Sequence, residues 1–557
     1  MNSIFGREAF LALLESEGVS HLFGNPGTTE LPIMAALPDR PAINYVMALQ
    51  EALVVAMADG YSRASGDLSA CNVHVAPGLG NAMGSLYNAK WMGSPIIVTA
   101  GQQEQGHGLT EPMLYDSLVP IAQPLVKWAV EVNRLQDLPR IVHRAAKVAM
   151  TPPTGPVFIS LPGDILNEQD ALELGRPTRV DTSGRPSDAG LGRLADRLLA
   201  ARHPVIIAGH EIATADALGE AATLAELLGA PVYQQTVCDG AHFLSEHPAF
   251  MGALTRDQRQ VRDTLAPHDL MFCVGSDVLR MSVFSETDPM PDGMVVVQLG
   301  LRDWEMGKNY PADIALRADV KEGLAALAGA IQRKQGPAGA RKAAAALAAL
   351  GPSNWSAKRE AVRIDALKGA GATPMPPSLA MLRIVDALPD DAVIVDEGIL
   401  STRSLPSLYP FRDAKALFGL GSGGIGFAMA GAVGVQLALP DRPVVAIVGD
   451  GSAMYSIQAL WTAANAKLPI TYVIANNGGY RIIKERLKSF HGVERYTGME
   501  FKDPPIDFTG LARSMGVYAQ SITDPDDIAP AIAESTRRNR PTLLDVMVDD
   551  GFGNEGR

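Results

Sequence analysis

Two short glycine-containing motifs in the last third of the chain offer oxygen atoms of the kind that a divalent cation prefers. The first motif is GDGS at residues 449–452. The second is NNG at residues 476–478, in which Asn477 follows 27 residues after Asp450. The side chains of Asp450 and Asn477 are hard oxygen ligands, and the carbonyl of Gly479 could be a third. Glycine residues let backbone N–H groups approach phosphate oxygens, and a helix N-terminus adds partial positive charge. The pattern predicts a site for Mg²⁺ and a diphosphate.

The elements around these motifs must bring them to one place. Residues 444–448 are a continuous apolar run typical of a buried strand, and a helix is predicted from about Met454 to Ala466. A second strand is predicted over 469–475, directly before Asn476. In a parallel sheet both turns lie at the carboxyl edge of the strands, where ligands bind.

This spacing resembles the signature of the thiamine-diphosphate enzymes, in which GDG is followed some thirty residues later by NN. Two unrelated turns are the alternative, and the strand before each motif favours the signature. The resemblance implies thiamine diphosphate and Mg²⁺ as cofactors, with Asp450, Asn477 and Gly479 as metal ligands. The residues expected to bind the cofactor are Gly424, Ile425, Gly449, Asp450, Gly451, Ser452, Asn477 and Tyr480.

A cofactor of this type needs a carboxylate that hydrogen-bonds its pyrimidine ring and starts the proton transfers that activate it. Residues 44–48 are strand-like, and Glu51 opens the helix that follows. A glutamate in the first turn can also serve only to complement the helix dipole. The motif at 449–452 favours the catalytic interpretation of Glu51.

Further segments extend the resemblance over almost the whole chain, towards the benzoylformate decarboxylase family within the acetolactate synthase and pyruvate decarboxylase-like enzymes. They include GNPGTTELP (24–32), NVHVAPGLGNAMG (72–84), GSGGIGFAMAGAVGVQLA (421–438) and NNGGY (476–480). This resemblance also places Ile425 where a bulky apolar side chain bends the bound cofactor; a core isoleucine is the alternative, and the two roles are compatible.

The same resemblance implies a domain plan and an assembly. It predicts a PYR (pyrimidine-binding) domain over 1–174, a central domain over 190–333 and a PP (diphosphate- and metal-binding) domain over 378–557. It also implies at least a homodimer, usually within a homotetramer. In that assembly, Glu51 and the GDG motif of one site come from different subunits.

Benzoylformate decarboxylases carry a serine and two histidines around the substrate. Thr28 matches the serine, His74 matches the first histidine, and the second histidine falls on Ser282. A second imidazole from the central domain is therefore expected to be missing, which would slow product release, redirect the reaction towards carboligation or reflect a different substrate. His107 is a candidate replacement, although a lone loop histidine is more often solvated.

Three apolar positions are expected to line the substrate pocket. Met113 matches a leucine of the family's aryl pocket, and Ile482 and Ile483 match positions that face the substrate. Isoleucine at 482 is larger than the family's residue there, which predicts a narrower pocket.

The whole chain alternates short β-branched runs, such as 96–98 and 205–208, with helical periods. This pattern predicts an α/β fold of three doubly wound parallel-sheet domains. A hydrophobic fraction of 47% and a charged fraction of 20% exclude global disorder. The net charge of −13 makes the chain a poor non-specific binder of nucleic acid or of an anionic membrane.

The cysteines and the N-terminus bear on the compartment. Three cysteines make no disulfide framework, and Arg7 and Glu8 stand where a signal peptide would be apolar. A cytoplasmic protein with a small-molecule substrate is expected.

The resemblance predicts a carbon–carbon lyase that decarboxylates a 2-oxo acid, benzoylformate-like or branched aliphatic, and releases CO₂ and an aldehyde, with Glu51, His74 and Thr28 as catalytic residues. A carboligase or lyase of the acetolactate synthase or hydroxyacyl lyase type is the alternative.

A regulatory protein without catalysis is disfavoured because Glu51 and Asp450 are retained. A nicotinamide dehydrogenase is disfavoured because no G-x-G-x-x-G opens a helix with an acid about 20 residues on. No flavin is expected in the central domain, where residues 205–212 hold a single glycine.

Overall fold

The computed structural model describes residues 3–552 of the chain. These residues form two compact units, which are unit 1 (3–180, 371–402 and 420–552) and unit 2 (Asp181–Ala370 and Arg403–Gly419). Within the described residues, no helix is long and apolar enough to cross a membrane.

The N-terminal part of unit 1 is a parallel sheet packed between helices. Its strands are β1 Ile4–Phe5, β2 His21–Gly24, β3 Asn44–Met47, β4 Ser69–Val73, β5 Ile96–Gln102, β6 Ala129–Glu131, β7 Val157–Pro162 and β8 Gln169–Asp170. Its helices are α1 Gly6–Ser16, α2 Leu31–Ala36, α3 Glu51–Ser65, α4 Val75–Met92, α5 Leu118–Ala122, α6 Leu138–Met150 and α7 Gly163–Asn167. The sheet order is β3-β2-β4-β5-β7-β6, while β1 and β8 pair separately as an antiparallel ribbon.

Unit 2 contains a second parallel sheet of order β11-β10-β9-β12-β13-β14. These strands are β9 Pro204–Ala208, β10 Val232–Gln234, β11 Phe250–Ala253, β12 Leu270–Val274, β13 Val295–Gly300 and β14 Ile314–Arg317. The helices are α8 Asp188–Ala200, α9 His210–Thr214, α10 Leu218–Leu228, α11 Gln258–Leu265, α12 Val320–Lys334, α13 Pro337–Ala349 and α14 Trp355–Leu367.

Strand β12 shows why this sheet reads as a continuous apolar run. Leu270, Phe272 and Val274 pack into the hydrophobic core on one face of the sheet. Met271 and Cys273 pack into a second core on the other face. A strand buried on both faces has no polar alternation, which is typical of a sheet covered by helices on both sides.

The C-terminal part of unit 1 holds the third parallel sheet, in which the strand order is β15-β17-β18-β20-β19. The remaining strands are β15 Val393–Glu397, β16 Leu417–Phe418 (in unit 2), β17 Val444–Gly449, β18 Thr471–Asn476, β19 Tyr518–Ile522 and β20 Thr542–Met547. The remaining helices are α15 Pro377–Ala387, α16 Leu405–Leu408 (in unit 2), α17 Ala428–Ala438, α18 Asp450–Ala453, α19 Ala459–Asn465, α20 Arg481–His491, α21 Phe508–Ser514 and α22 Ile528–Arg538. The predicted α/β fold of three parallel sheets is confirmed.

The helix predicted over 454–466 is shorter than expected. It begins at Ala459, and α18 ends at Ala453. Between them the N–H of Tyr455 donates to the Ser452 carbonyl and that of Ser456 to the Ala453 carbonyl, both three residues back. This tighter spacing makes successive turns in place of a continuous α-helix.

Helices α3 and α17 cross within unit 1 so closely that the backbone of each helix contacts glycines of the other. A methyl group added to Gly434 would lie 1.9 Å from the Met57 carbonyl oxygen, and one added to Gly60 would lie 2.2 Å from the Gly431 carbonyl oxygen. Only glycine fits such a close backbone approach. The crossing sets the spacing between α3, which begins at Glu51, and α17, which begins three residues after Ile425.

Candidate functional site

The structure brings the three predicted metal ligands together at the carboxyl edge of the third sheet. Gly449 and Ala475 are register partners on β17 and β18, so the turns after them are neighbours. The Gly479 N–H donates to Asp450 Oδ2 at 3.0 Å and to Asn477 Oδ1 at 3.2 Å. The Gly451 N–H donates to Asp450 Oδ1 at 2.7 Å. These bonds hold both oxygen ligands and the Gly479 backbone in one cluster.

The chemistry of this cluster fits a divalent cation. The Asp450 side chain is 3% exposed, and burial raises the pKa of its carboxyl although backbone N–H groups oppose that shift. Within residues 3–552, no Lys or Arg forms an ion pair with it. A buried carboxylate without a cationic side chain is costly unless a charge arrives from outside the chain. Asp450, Asn477 and the Gly479 carbonyl would hold Mg²⁺, which prefers such oxygens.

A second carboxylate, which the sequence reasoning missed, supports the Asn476–Asn477 turn. The Asn476 Nδ2 donates to Asp545 Oδ1 at 3.0 Å, and the Gly478 N–H donates to Asn476 Oδ1 at 3.2 Å. Burial and the nearby Asp450 raise the pKa of Asp545 to about 6. Asp545 lies 68 residues after Asn477 in the sequence, so no local pattern pointed to it.

Tyr480, an expected cofactor-binding residue, closes the other side of the loop. The centroid of its ring lies 4.7 Å from that of Phe501. A methyl group added to Gly451 would lie 2.6 Å from the Tyr480 ring. The Tyr480 N–H donates to the Met499 carbonyl at 2.9 Å. The buried Lys484 adds an ion pair to Glu500 at 2.9 Å. The segment around residue 500 thus holds the loop that carries the predicted metal ligands.

The glycine-rich segment with Gly424 and Ile425 is fastened by a residue that the sequence analysis did not single out. Glu397 ends β15, beside β17, and is 1% exposed. Its Oε1 accepts the Gly426 N–H at 2.5 Å, and its Oε2 accepts the Ala428 N–H at 2.6 Å. Burial raises the pKa of the Glu397 carboxyl to about 7. Its signal in the sequence was only an acidic residue at a strand end.

Glu51 begins α3, as expected, and is 8% exposed. The Asn81 Nδ2 donates to Glu51 Oε2 at 3.0 Å, and a methyl group on Gly78 would lie 3.0 Å from Oε1. The Gln50 side chain caps the helix by accepting the Ala52 N–H. Because Gln50 already provides a cap, the buried Glu51 carboxylate remains available for other chemistry.

His74 is held by a buried glutamate. His74 follows β4 and precedes α4, and its Nδ1 lies 2.7 Å from Glu30 Oε2 and 3.2 Å from Thr29 Oγ1. Glu30 is 1% exposed and also accepts the Gly101 N–H at 2.8 Å. A carboxylate at this position would accept a hydrogen bond from Nδ1, and Nε2 is left without a contact to Glu30.

The expected hydroxyl and the backbone beside His74 add two details. Thr28 is exposed, and the hydroxyl that contacts His74 belongs to its neighbour Thr29. Val75 has φ +43°, which is an unusual conformation for a β-branched residue. Such strain clusters at functional sites, and here it lies directly after His74.

The expected pocket residues lie on separate elements. Met113 is 86% exposed on the loop between β5 and α5, and Ile482 and Ile483 lie in the first turn of α20, partly exposed. Ser282 is exposed on the loop after β12 in unit 2, and His107 is exposed and bonded to Thr110. The substrate pocket therefore stays a prediction.

The carboxyl edge of the sheet in unit 2 is occupied by buried ion pairs. Arg302 Nε donates to Glu211 Oε1 at 2.9 Å, and Arg302 NH2 donates to Asp277 Oδ1 at 2.9 Å. Glu211 also accepts the Leu301 N–H at 2.7 Å. These side chains lie at the ends of β9, β12 and β13, which meet at the switch point of the strand order.

Comparison with known proteins agrees with this geometry. Three family models match, namely the N-terminal thiamine pyrophosphate-binding domain over residues 5–115, the central domain over 191–327 and the C-terminal thiamine pyrophosphate-binding domain over 402–546. A benzoylformate decarboxylase of Pseudomonas aeruginosa is 33% identical over 96% of this chain and 97% of its own. An acetolactate synthase large subunit of Parasynechococcus marenigrum is 29% identical over 99% of this chain and 88% of its own.

Solved structures give the same result. A thiamine diphosphate-dependent 4-hydroxybenzoylformate decarboxylase of Rhodococcus jostii superposes with a TM-score of 0.88 at 30% identity, covering 99% of this chain and 100% of that one. A benzoylformate decarboxylase of Polynucleobacter necessarius superposes with a TM-score of 0.87 at 27% identity, covering 99% of both chains. With three domain models along its length and relatives that cover nearly all of it, the chain belongs to the thiamine pyrophosphate (thiamine diphosphate) enzymes.

Proposed function

We propose that this chain is a thiamine diphosphate- and Mg²⁺-dependent decarboxylase of a 2-oxo acid, benzoylformate-like or branched aliphatic, that releases CO₂ and an aldehyde. The observation that carries the proposal is the His74–Glu30 pair, since it leaves one imidazole nitrogen for proton transfer. Relatives named as benzoylformate decarboxylases among both sequences and structures support it.

Thiamine diphosphate, when bound, supplies the carbon nucleophile and the electron sink that decarboxylation requires. Asp450, Asn477 and the Gly479 carbonyl would hold the metal ion, and the Gly451 and Ser452 backbone would lie beside the phosphate oxygens. The Glu51 carboxylate would hold or release a proton beside the pyrimidine ring. His74 Nε2 gives or takes a proton beside the substrate, and Thr28 offers a hydroxyl to the substrate carboxylate.

The active unit is a homodimer at minimum, and the homotetramer is its expected form. The Glu51 carboxylate contacts Asn81 and Gly78, whereas the Asp450 carboxylate contacts Gly451 and Gly479. Each half of the site is thus organised by its own part of unit 1, the N-terminal part for Glu51 and the C-terminal part for Asp450. This is expected if the two halves meet across a subunit interface. Unit 1 also exposes large apolar side chains that a second copy would cover, among them Leu31, Leu109 and Tyr455.

Carboligation on the same cofactor is the second candidate. Ser282 stands at the position expected for a second histidine, and a hydroxyl does not exchange protons readily near neutral pH. Slow protonation would leave the carbon nucleophile free to react with an aldehyde. Relatives named as acetolactate synthases are consistent with this alternative.

One assay separates the two candidates. The purified protein is incubated with thiamine diphosphate, Mg²⁺ and a panel of aryl and branched aliphatic 2-oxo acids, and CO₂, free aldehyde and 2-hydroxyketone are quantified. Equal amounts of CO₂ and aldehyde support the decarboxylase, whereas CO₂ with 2-hydroxyketone supports the carboligase. Asp450→Ala is the negative control. Absence of CO₂ from every acid with the cofactor bound would refute the proposal.

A further inference from the structure

We infer that Glu397 is a positioning residue that holds Ile425 in the place from which it bends the bound cofactor. The inference rests on the proposed function and on the expectation from the sequence that Ile425 contacts thiamine diphosphate. The partners of the Glu397 carboxylate are backbone N–H groups and not the reacting atoms. It acts on the backbone on the C-terminal side of Ile425, at Gly426 and Ala428.

The geometry supports a fastening role. The carboxylate accepts one N–H from the residue directly after Ile425 and another at the start of α17. The first N–H groups of a helix have no partner inside the helix, and the N-terminus favours a negative charge. Glu397 meets both needs from the end of β15, next to the strand that leads to Asp450. The sheet edge that holds the metal ligands therefore also sets the position of Ile425.

The segment before α17 needs hydrogen bonds from outside the segment because its glycines allow its backbone many conformations. Gly423 has φ +87° and Gly426 has φ +112°, conformations that glycine adopts freely. A chain with several glycines loses much conformational entropy when it becomes ordered. Ser422 helps at the start of the segment, where its Oγ accepts the Gly424 N–H at 3.0 Å. Past Gly424, the side-chain bonds from Glu397 fix the backbone on the C-terminal side of Ile425.

The first test uses protein without cofactor. Amide hydrogen–deuterium exchange is compared over residues 421–430 in wild type, Glu397→Gln and Glu397→Asp. Loss of one charge-assisted bond predicts about ten- to hundredfold faster exchange there in Glu397→Gln, with partial recovery in Glu397→Asp, which keeps the carboxylate. The matched control is Asp319→Asn, which weakens a carboxylate cap on α12 in unit 2 where Asp319 accepts the Glu322 N–H. The control should leave exchange at 421–430 unchanged.

The second test asks whether Glu397 acts through Ile425. The exchange rate of the C2 proton of bound thiamine diphosphate is measured by quenched NMR in wild type, Glu397→Gln, Ile425→Ala and the double variant. We expect about tenfold slower exchange in Glu397→Gln and no further slowing when it is added to Ile425→Ala. Cofactor affinity should change much less than the exchange rate.

Two results would overturn the inference. One is unchanged amide exchange at 421–430 in Glu397→Gln, and the other is an equal slowing of C2 exchange with and without Ile425. If Glu397→Gln does not fold, the same comparisons are made with Glu397→Asp. A wild-type protein that exchanges the C2 proton normally but decarboxylates no 2-oxo acid would refute the proposed function and leave this inference standing.

Discussion

The buried carboxylates of unit 1 differ in what they hold, and that difference separates their roles. Asp450 accepts backbone N–H groups and is a predicted metal ligand, whereas Glu51 accepts a hydrogen bond from a single amide side chain. Glu30 and Glu397 each fix another part of the site. Substitution of carboxylate by amide tests each role with little change in volume.

Glu51→Gln is expected to leave thiamine diphosphate bound but to slow C2-proton exchange by about a hundredfold or more, because an amide cannot pass a proton to the pyrimidine nitrogen. Exchange is followed by quenched NMR on the bound cofactor. The control is Glu8→Gln, which also removes a charge from the first turn of a helix. Unchanged exchange in Glu51→Gln would refute the catalytic role and would mean that Glu51 only complements the helix dipole.

Glu30→Gln is expected to lower kcat by about ten- to hundredfold with little change in KM, because His74 loses the carboxylate that fixes its tautomer. Glu30→Asp should recover part of the loss. Steady-state kinetics of both variants are compared with those of His74→Ala. If adding Glu30→Gln to His74→Ala costs a further tenfold in kcat, Glu30 does not act through His74.

Ile482→Ala is expected to shift the preference towards aryl substrates by about ten- to two-hundredfold, the range for one to a few methylenes in a hydrophobic pocket. Ile482 lies in the first turn of α20, just after the predicted metal ligands Asn477 and Gly479. The ratio of kcat/KM for benzoylformate and a branched aliphatic 2-oxo acid is measured in both proteins. Ile364→Ala on α14 of unit 2 is the control for an exposed isoleucine. A wild type that already prefers benzoylformate, with no change in Ile482→Ala, contradicts a narrow pocket.

At the scale of elements, the close crossing of α3 and α17 predicts that one added methyl group lowers the stability of the fold. Gly434→Ala would place it 1.9 Å from the Met57 carbonyl oxygen, a backbone atom that cannot rotate away. We expect a loss of about 1–3 kcal/mol in the free energy of unfolding, measured by chemical denaturation. The control is Gly219→Ala on α10, where an added methyl group meets nothing within 4 Å. Equal stability of Gly434→Ala and wild type would mean that the helices can move apart.

The elements that the sequence predicted best are those with a local pattern. The strand expected over 444–448 is β17, Val444–Gly449, and Glu51 begins α3 as expected. The helix after Asp450 was predicted too long because periodicity does not show the three-residue turns before Ala459. The largest omissions were Glu30 and Glu397, whose partners include Gly101, 71 residues later, and Gly426, 29 residues later. Such pairings depend on tertiary structure, so the sequence reveals only that an acid is present.

At the scale of the whole molecule, a site shared between subunits predicts complementation. A dimer of one Glu51→Gln chain and one Asp450→Ala chain holds one site with both changes and one with neither. Mixing the two variants should therefore restore roughly a quarter of wild-type activity, since about half of the dimers are mixed. If Glu51 and Asp450 of one chain serve the same site, every site is damaged and no activity returns. Each variant alone, taken through the same unfolding and remixing, is the control.

The glycine crossing of α3 and α17 also bears on how this protein can change over generations. Gly60 and Gly434 reject any side chain whatever the substrate, because what they meet is backbone. Met113 and Ile482, by contrast, are partly or largely exposed in the chain, where substitutions cost little stability. If Met113 and Ile482 line the substrate pocket, as the sequence predicts, substitutions there would change the substrate range without changing the helix spacing. A mutagenesis library that randomises 113 and 482 and leaves 60 and 434 as glycine would follow the same route.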